Sequence, residues 1–336
     1  MDELFLVRVL TTAINAMKSP SRRIYNRIFQ PREHLEPSDL LEFDIITGSQ
    51  KILSNISIYA PAQVRDLTGR KTVTMKAPRL STKRFIATAA LNALRQMGGK
   101  LSVEQMKDRI AREQKDMRNE FDRTFEFWAA NALKGQIYDS DLSTILVDYG
   151  VDNTHKPTLT GDDLWTAEAS DPIAKLKEFK RLIEDDCNAT IEEWVAYLGS
   201  DVMDALMAHS SVRDLIKYGK GVEIAETGRL QTLVEIELNE YTASYLDNSD
   251  TRKRYIDSDE FLLIGICEDI VDTPYAPVVD DDAPGGVGNT DANGNGVMFF
   301  SKSWTKQDPS GRWIKAEGRP LPVLQRPDAV VDATVV

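Results

Sequence analysis

The longest hydrophobic pattern in the chain lies between residues 102 and 134 and predicts one long helix. Apolar side chains recur there at steps of three and four residues, the spacing of one helix face: Val103, Met106, Ile110, Met117, Phe121, Phe125 and Trp128. The other positions are highly charged, as on a surface helix that lies along a sheet. Gly135 supplies a stop signal. At about 1.5 Å per residue the helix measures about 50 Å, longer than a typical domain is wide.

Shorter patterns predict a mixture of strands and helices elsewhere. Alternating or continuous apolar runs predict strands at 43–60, 144–149, 222–225, 231–238 and 260–267. Helical spacing predicts helices at 4–17, 172–186 and 200–218. The segment 190–198 fits either a strand or a helix. Because these elements follow no regular strand–helix–strand rhythm, the predicted class is α+β.

Two segments near the N-terminus carry few large apolar groups. From Pro20 to Pro37 the chain is polar, basic and interrupted by proline, which predicts an extended arm. Residues 61–85 alternate Thr and Val around a turn at 66–69, which predicts a projecting two-stranded hairpin. A ribbon so poor in apolar residues cannot bury a core of its own, so it needs another surface to lie on.

The charge of the chain is divided unevenly along its length. The 336 residues hold 41 Lys and Arg against 53 Asp and Glu, a net charge of −12. Residues 1–100 hold 16 basic and 8 acidic residues, whereas residues 101–336, called the acidic body below, hold 25 basic and 45 acidic ones. Such asymmetry is typical of nucleic-acid or membrane contact, and also of complementary patches on copies of one chain. Solvated faces without a partner are the third interpretation.

Composition narrows the class of protein. The chain is 42% hydrophobic and 28% charged, which is ordinary for globular proteins. No run approaches the roughly 18–20 apolar residues of a membrane helix, and two acids stand where a signal peptide has basic residues. Cys187 and Cys267 are too few for a disulfide framework. We therefore expect neither secretion nor a membrane span, and a reducing compartment.

Motifs that carry chemistry are weak or incomplete. The glycine-rich loop at 285–288 lacks the Gly-Lys-Ser/Thr ending of a phosphate loop and precedes a strand. Residues 291–296 match the first half of a calcium loop, but Lys302 stands where the bidentate Glu belongs, so a flexible turn is predicted. The three histidines are scattered: His34, His155 and His209. The prediction is that the chain is not an enzyme and has no catalytic residues, cofactor or metal site.

The order of these segments resembles that of the lambda-like phage major capsid protein E family, which has the Hong Kong 97-type fold. The tail, residues 299–331, carries the most specific likeness, with four motifs in the family's order and spacing: Lys302-Ser303-Trp304, Asp308-Pro309, Pro320 to Leu324, and Pro327-Asp328. Residues 57–85 resemble the family's extended loop. Trp165 followed by Asp171-Pro172 resembles its entry into the next domain, whereas the acidic glycine loop at 279–296 departs from the family pattern.

The resemblance implies a domain organisation: an N-terminal arm at 1–35, an extended loop with flanking strands at 36–95, a peripheral domain at 96–165 around the helix at 102–134, an axial domain at 166–296, and C-terminal strands at 297–336 that return to the peripheral domain. It implies a major capsid protein that self-assembles into hexamers and pentamers of an icosahedral phage head in the host cytoplasm. The head encloses double-stranded DNA without sequence-specific binding, and the implied further partners are a portal, a scaffold and a decoration protein.

On this interpretation the basic segments dock on the acidic bodies of neighbouring subunits. The predicted intersubunit contacts are nine basic residues: Arg22, Arg23, Arg27, Arg65, Arg70, Lys71, Lys76, Arg79 and Lys83.

Three alternatives stay open from the sequence. A nucleic-acid-binding protein would use residues 18–84 as its basic footprint and show steeply salt-dependent DNA affinity, although that segment has no recognisable binding module. A metal-dependent hydrolase built on the acidic body would take up metal stoichiometrically. A cellular nanocompartment shell of the same fold would enclose cargo protein instead of DNA.

Overall fold

The computed structural model describes residues 6–17, 23–47, 69–88, 103–217, 230–283 and 297–336. The predicted strand at 222–225, the loop at 291–296 and the predicted contacts Arg22 and Arg65 lie outside these residues. The chain forms two compact units. The first comprises 1–42, 74–129 and 272–323, and the second comprises 43–73, 130–271 and 324–336.

The described residues contain helices and strands in a mixed order, which confirms the α+β class. The helices are α1 (Val7–Ala16), α2 (Val103–Leu133), α3 (Pro172–Asp186), α4 (Ser200–Ala208) and α5 (Ser210–Leu215). The strands are β1 (Glu33–Leu35), β2 (Leu40–Thr47), β3 (Gly69–Lys76), β4 (Leu80–Ala87), β5 (Gln136–Tyr138), β6 (Ile145–Asp148), β7 (Glu193–Leu198), β8 (Thr232–Leu233), β9 (Ile236–Glu240), β10 (Ser244–Leu246), β11 (Arg252–Arg254), β12 (Glu260–Ile266), β13 (Val271–Tyr275), β14 (Phe299–Lys306), β15 (Gly311–Gly318), β16 (Val323–Leu324) and β17 (Val330–Thr334).

The long helix is confirmed to within one residue at each end, because α2 runs over Val103–Leu133. The apolar positions of its pattern are buried wherever the structure describes their side chains: Ile110, Met117, Phe121, Phe125 and Trp128. Gly135 has φ of +99°, a left-handed conformation that glycine adopts without strain after a helix end.

In the first unit, α2 lies against a three-stranded sheet of order β14-β15-β4. The rings of Phe121 and Phe125 each lie 5.5 Å from the ring of Phe299 on β14. Arg84 of β4 places its guanidinium 2.6 Å from a carboxylate oxygen of Glu120 on α2. The helix therefore packs on the sheet through both aromatic and charged side chains.

The second unit is built on a five-stranded sheet of order β17-β12-β7-β9-β8. Strands β7 and β9 are parallel, and the other neighbours are antiparallel. Phe261 of β12 lies at the centre of an aromatic cluster, 5.1 Å from the ring of Trp165 and 6.3 Å from that of Phe179 on α3. The buried strand β12 is the apolar run that the sequence placed at 260–267.

The hairpin at 61–85 stays a prediction, because the strand that precedes its predicted turn at 66–69 lies outside the described residues. Strand β3 pairs with β2, and β4 pairs with β15, so the two strands belong to different sheets. Strand β3 is mostly exposed and pairs with β2, whose Leu41, Phe43 and Ile45 are buried. Strand β4 buries Ile86 beside β15.

The extended conformation predicted between Pro20 and Pro37 is wrong in part. Tyr25–Phe29 forms a π-helical turn and Gln30–Arg32 a 3-10 turn. Ile24, Tyr25 and Phe29 are buried, and their spacing is that of a helical face. The prolines and basic residues of this segment obscured a short apolar pattern.

Two further elements resolve differently from the sequence pattern. The ambiguous segment 190–198 contains strand β7. The helix predicted at 200–218 is interrupted at His209, whose backbone is extended, and a ring nitrogen of His209 accepts a hydrogen bond from the amide of Ser211 at the start of α5.

The compact units do not follow the predicted domain boundaries. Residues 324–336 group with the second unit because β17 pairs with β12. Residues 272–283 group with the first, where β13 pairs with β1. The assignment of arm, extended loop, peripheral domain and axial domain remains a prediction.

A buried acid makes the folding stability of the second unit depend on pH. Burial, together with the neighbouring Glu260, raises the pKa of Asp332 on β17 to about 8. Glu260 itself accepts a hydrogen bond from Lys134 at 2.6 Å. Because Asp332 binds its proton more tightly in the folded chain than in the unfolded chain, folding stability falls as pH rises from about 4 to about 8.

Asp332→Asn is expected to reduce the loss of folding stability between about pH 4 and about pH 8, because the amide stays neutral at every pH. Urea unfolding midpoints at pH 5 and pH 9 should differ less in the variant than in the wild-type protein. The exposed Asp162→Asn serves as control and should behave like wild type. Equal pH dependence in Asp332→Asn and wild type would contradict the assignment.

Candidate intersubunit interface

Among the side chains of α2 that the structure describes, four polar ones are buried, although the sequence pattern indicated that the charged residues of this helix face solvent. They follow one another at four-residue steps and so form a single row along the helix. The row, called the polar ladder below, consists of Gln114, Arg118, Asp122 and Glu126, which are 1%, 7%, 0% and 1% exposed. Its four-residue repeat is visible in the sequence, but Asp108, Arg112 and Asp116 repeat in the same way and are exposed, so the repeat alone does not reveal the burial.

The first two members of the polar ladder hold α1. Gln114 donates a hydrogen bond to the carbonyl of Leu10 at 3.0 Å, and Arg118 donates to the carbonyl of Ile14 at 3.4 Å. Arg118 also hydrogen-bonds Asp122 at 3.1 Å, and its guanidinium carbon lies 3.8 Å from the centroid of the Phe299 ring. The arginine is thus buried with a carboxylate and an aromatic face as partners.

The last member holds the helical turn at Tyr25–Phe29. The two carboxylate oxygens of Glu126 accept hydrogen bonds from the amides of Ile24 at 2.9 Å and Tyr25 at 3.1 Å. The first amides of a helical turn have no partner within the turn, and a carboxylate is the favoured acceptor for them. Glu126 therefore fixes the position of this turn on α2.

Helix α1 also covers part of the edge of β14. Thr11 donates from its hydroxyl to the carbonyl of Ser301 and accepts from the Ser301 amide, both at 3.1 Å. Asn15 donates to the carbonyl of Phe299 at 2.7 Å. These bonds satisfy edge groups that would otherwise be free to pair with another strand. The described N-terminal segments are consequently packed within the first unit.

The predicted basic contacts fall into distinct groups. Strand β3 brings together Arg70, Lys71 and Lys76, all exposed. Arg70 lies 3.5 Å from Asp44 and Lys76 lies 3.7 Å from Asp39, and their side chains are 59% and 76% exposed. Surface pairs of this kind contribute little to stability, so these side chains remain available to a partner. Arg23 is exposed and Arg27 is half-buried.

Arg79, which directly precedes β4, is used inside the first unit, whereas Lys83 on β4 is exposed. Arg79 makes a two-pronged hydrogen bond to Glu317 at 2.8 and 2.9 Å, and Glu317 is fully buried. Burial raises the pKa of Glu317, but hydrogen bonds from Arg79 and Lys315 outweigh it and hold the pKa below its ordinary value. Lys83 lies 5.1 Å from the centroid of the Trp313 ring.

A buried arginine that the sequence analysis did not single out joins three segments of the first unit. Arg319, which is 3% exposed, forms an ion pair with Asp39. It also donates to the carbonyls of Pro277 at 3.0 Å and Ala77 at 3.1 Å. The hydrogen bond from Arg319 holds the pKa of Asp39 below its ordinary value. The start of β2, the end of β3 and the chain after β13 are thereby held together.

Nothing in the described part of the chain groups three or more His, Cys, Asp or Glu side chains as a metal would require. Among the helices of the described residues, none combines the length and apolar character of a membrane span. Two of the three histidines, His155 and His209, are buried. His155 contacts the carbonyl of Val330 and the carboxylate of Asp186.

Solved structures show the fold to which this architecture belongs. A protein described as the capsid protein of a prophage of Escherichia coli CFT073 matches with a TM-score of 0.62 at 15% identity, over 98% of this chain and 99% of that chain. A phage-related protein from Bordetella bronchiseptica RB50 matches with a TM-score of 0.58 at 13% identity, over 98% and 97%. The mature capsid of bacteriophage PhiM1 gives 0.53 at 11% identity, over 95% and 87%. The fold is the Hong Kong 97-type fold of phage capsid proteins.

The sequence carries the assignment further. Residues 7–335 match the family model of phage major capsid protein E. The chain therefore belongs to the phage major capsid protein E family, a family of structural proteins that assemble into capsid shells. Comparison with curated proteins gives no significant match.

Glu126→Ala is expected to destabilise the first unit by about 3 kcal/mol, because two buried amides lose their acceptor. Hydrogen exchange at the amides of Ile24 and Tyr25 should accelerate more than exchange in the β12 core. Asp116→Ala on the same helix is the matched control, since that carboxylate is 57% exposed, and it should change stability by less than about 0.5 kcal/mol. Equal effects of the two substitutions would refute a specific role for the polar ladder.

Proposed function

We propose that this chain is the major capsid protein of a tailed phage and self-assembles into the hexamers and pentamers of an icosahedral head that encloses double-stranded DNA. The observation that carries the proposal is the family match over residues 7–335. The head assembles in the host cytoplasm with a portal and a scaffold, and a decoration protein binds its surface. We keep the division into an N-terminal arm, an extended loop, a peripheral domain and an axial domain that the resemblance of the sequence implies.

The basic residues of β3 dock on the acidic bodies of neighbouring subunits. Two observations support this assignment. Arg70, Lys71 and Lys76 are exposed on one strand, and the ion pairs of Arg70 and Lys76 at 3.5 and 3.7 Å lie on the surface. Residues 101–336 carry a net charge of −20, so complementary charge is available on every copy. Long-range attraction between opposite patches accelerates association and selects the partner surface.

Arg79 and Lys83 have a smaller part in the contact proposed for β3 than the sequence indicated. Arg79 satisfies the buried Glu317 of its own unit, and the Lys83 ammonium lies over the Trp313 ring. The proposed contact therefore centres on β3, with Arg22, Arg23, Arg27 and Arg65 as further candidates.

An acidic wall suits a container for DNA. Every phosphate neutralised by Lys or Arg adds salt-dependent affinity for the nucleic acid. A shell lined by basic side chains would hold the DNA at its wall and hinder packing. The acidic body avoids this and gives enclosure without sequence-specific binding. A basic inward surface on the assembled shell would contradict this part of the proposal.

The double substitution Arg70→Glu and Lys71→Glu reverses two charges on β3. It is expected to weaken assembly without unfolding the subunit, because both side chains are exposed. In sedimentation velocity, wild-type protein should form fast-sedimenting particles, and the double variant should remain largely as small species with unchanged circular dichroism.

Lys177→Glu with Arg181→Glu is the matched control, since both side chains are exposed on α3 and the change in net charge is the same. This control should still form particles. Unchanged particle yield from the β3 variant would refute the role of β3, and a wild-type protein that stays monomeric at high concentration would refute the proposed function. Monomers that bind DNA with steep salt dependence would favour the nucleic-acid-binding alternative.

A further inference from the structure

A row of three aromatic side chains crosses the sheet β14-β15-β4 on the face away from α2. Trp304, Trp313 and Phe85 occupy directly opposite positions on the three neighbouring strands. The ring centroids of the two tryptophans lie 6.5 Å apart, and those of Trp313 and Phe85 lie 5.0 Å apart. Trp304 is 39% exposed. We call this row, with Lys83 and Lys306, the aromatic patch.

The two lysines give the aromatic patch a positive charge. The ammonium of Lys83 lies 5.1 Å from the Trp313 ring centroid, and that of Lys306 lies 5.7 Å from the Phe85 ring centroid. Both are exposed, and within the described part of the chain neither has a carboxylate at ion-pair distance. An occupant that supplies acidic groups would therefore gain both an ion pair and contact with the aromatic faces.

The other end of the same sheet face shows what kind of group covers it. There the chain at 278–283 packs Val278 and Ala283 on Phe300 of β14. Asp280 of that segment lies 2.7 Å from the ammonium of Lys302 on β14. The covering segment thus combines apolar side chains with an acid placed opposite a lysine. The described residues of this segment end at 283. The aromatic patch combines apolar and basic groups in the same way as Phe300 and Lys302 do at the covered end.

We propose that the aromatic patch is an interface that binds an acidic, partly apolar surface of a second copy of this chain. The proposal rests on the proposed function, because a shell subunit contacts copies of itself on several sides. Charge complementarity identifies the occupant: each copy carries 45 acidic residues among 101–336. Partly exposed tryptophans with neighbouring cations are the side chains that most often dominate the energy of such interfaces.

The test places a photo-crosslinking amino acid at position 304 of the full-length chain. Particles are assembled from a mixture of isotopically labelled and unlabelled subunits. The expected product joins residue 304 of one copy to an Asp- or Glu-containing peptide of another copy, in particles but not in dissociated subunits. Crosslinks within one copy, to nucleic acid or to another protein would overturn the inference, and so would particles without any crosslink.

Substitutions at Trp304 supply an independent measurement. Trp304→Ala should raise the subunit concentration needed for half-maximal assembly at least about tenfold, whereas Trp304→Phe keeps an aromatic ring and should raise it less. Circular dichroism should be the same for both. If wild-type protein and Trp304→Ala form particles at the same subunit concentration, this inference is overturned but the proposed function is not. A wild-type chain that forms no particles would overturn the proposed function as well.

Discussion

The packing of the first unit depends on the polar ladder of α2. An α-helix of 31 residues presents far more surface than one sheet covers, and the ladder determines what lies on the rest. Two of its side chains donate hydrogen bonds to backbone carbonyls of α1, and Glu126 accepts hydrogen bonds from backbone amides at the start of the turn at 25–29. Since each buried polar group left without a partner costs about 1–3 kcal/mol, a displaced N-terminal segment would leave several such costs at once. The ladder therefore gives the segment one favoured position on the helix.

Charge is used in two different ways in this chain. Buried or half-buried pairs, such as Glu317 with Arg79 and Asp39 with Arg319, join distant parts of one unit. Exposed cations on β3 have only weak internal partners and are available to a neighbour. The net charge of the first 100 residues does not distinguish cations that pair internally from cations available to a neighbour. Both kinds lie in that part of the chain, and only Arg319 lies outside it. Burial of one member of the pair, Glu317 in the first case and Arg319 in the second, is the feature that distinguishes them.

The sequence predicted the elements whose evidence is local. A period of three and four residues over about 30 positions suffices for α2, and an uninterrupted apolar run suffices for β12. The pairing of β4 with β15 could not be predicted in this way, since Arg79 and Glu317 are 238 residues apart and alternation along one strand contains no information about its partner. The polar ladder was missed for another reason: charged residues on a helix are normally solvated, and only the docked N-terminal segment reverses that expectation. The hydrogen bonds of Arg79 to Glu317 could not be predicted for the same reason as the pairing of β4 with β15, because the two residues lie so far apart along the chain.

In the closed shell that we propose, the exposed cations of β3 contact acidic residues of an adjacent subunit. A cryo-electron microscopy reconstruction of particles formed by the full-length protein measures this directly. The account predicts icosahedral particles in which Arg70, Lys71 and Lys76 lie within ion-pair distance of Asp or Glu side chains of another copy. Particles in which these three side chains face solvent or DNA, or a preparation without closed particles, would contradict it.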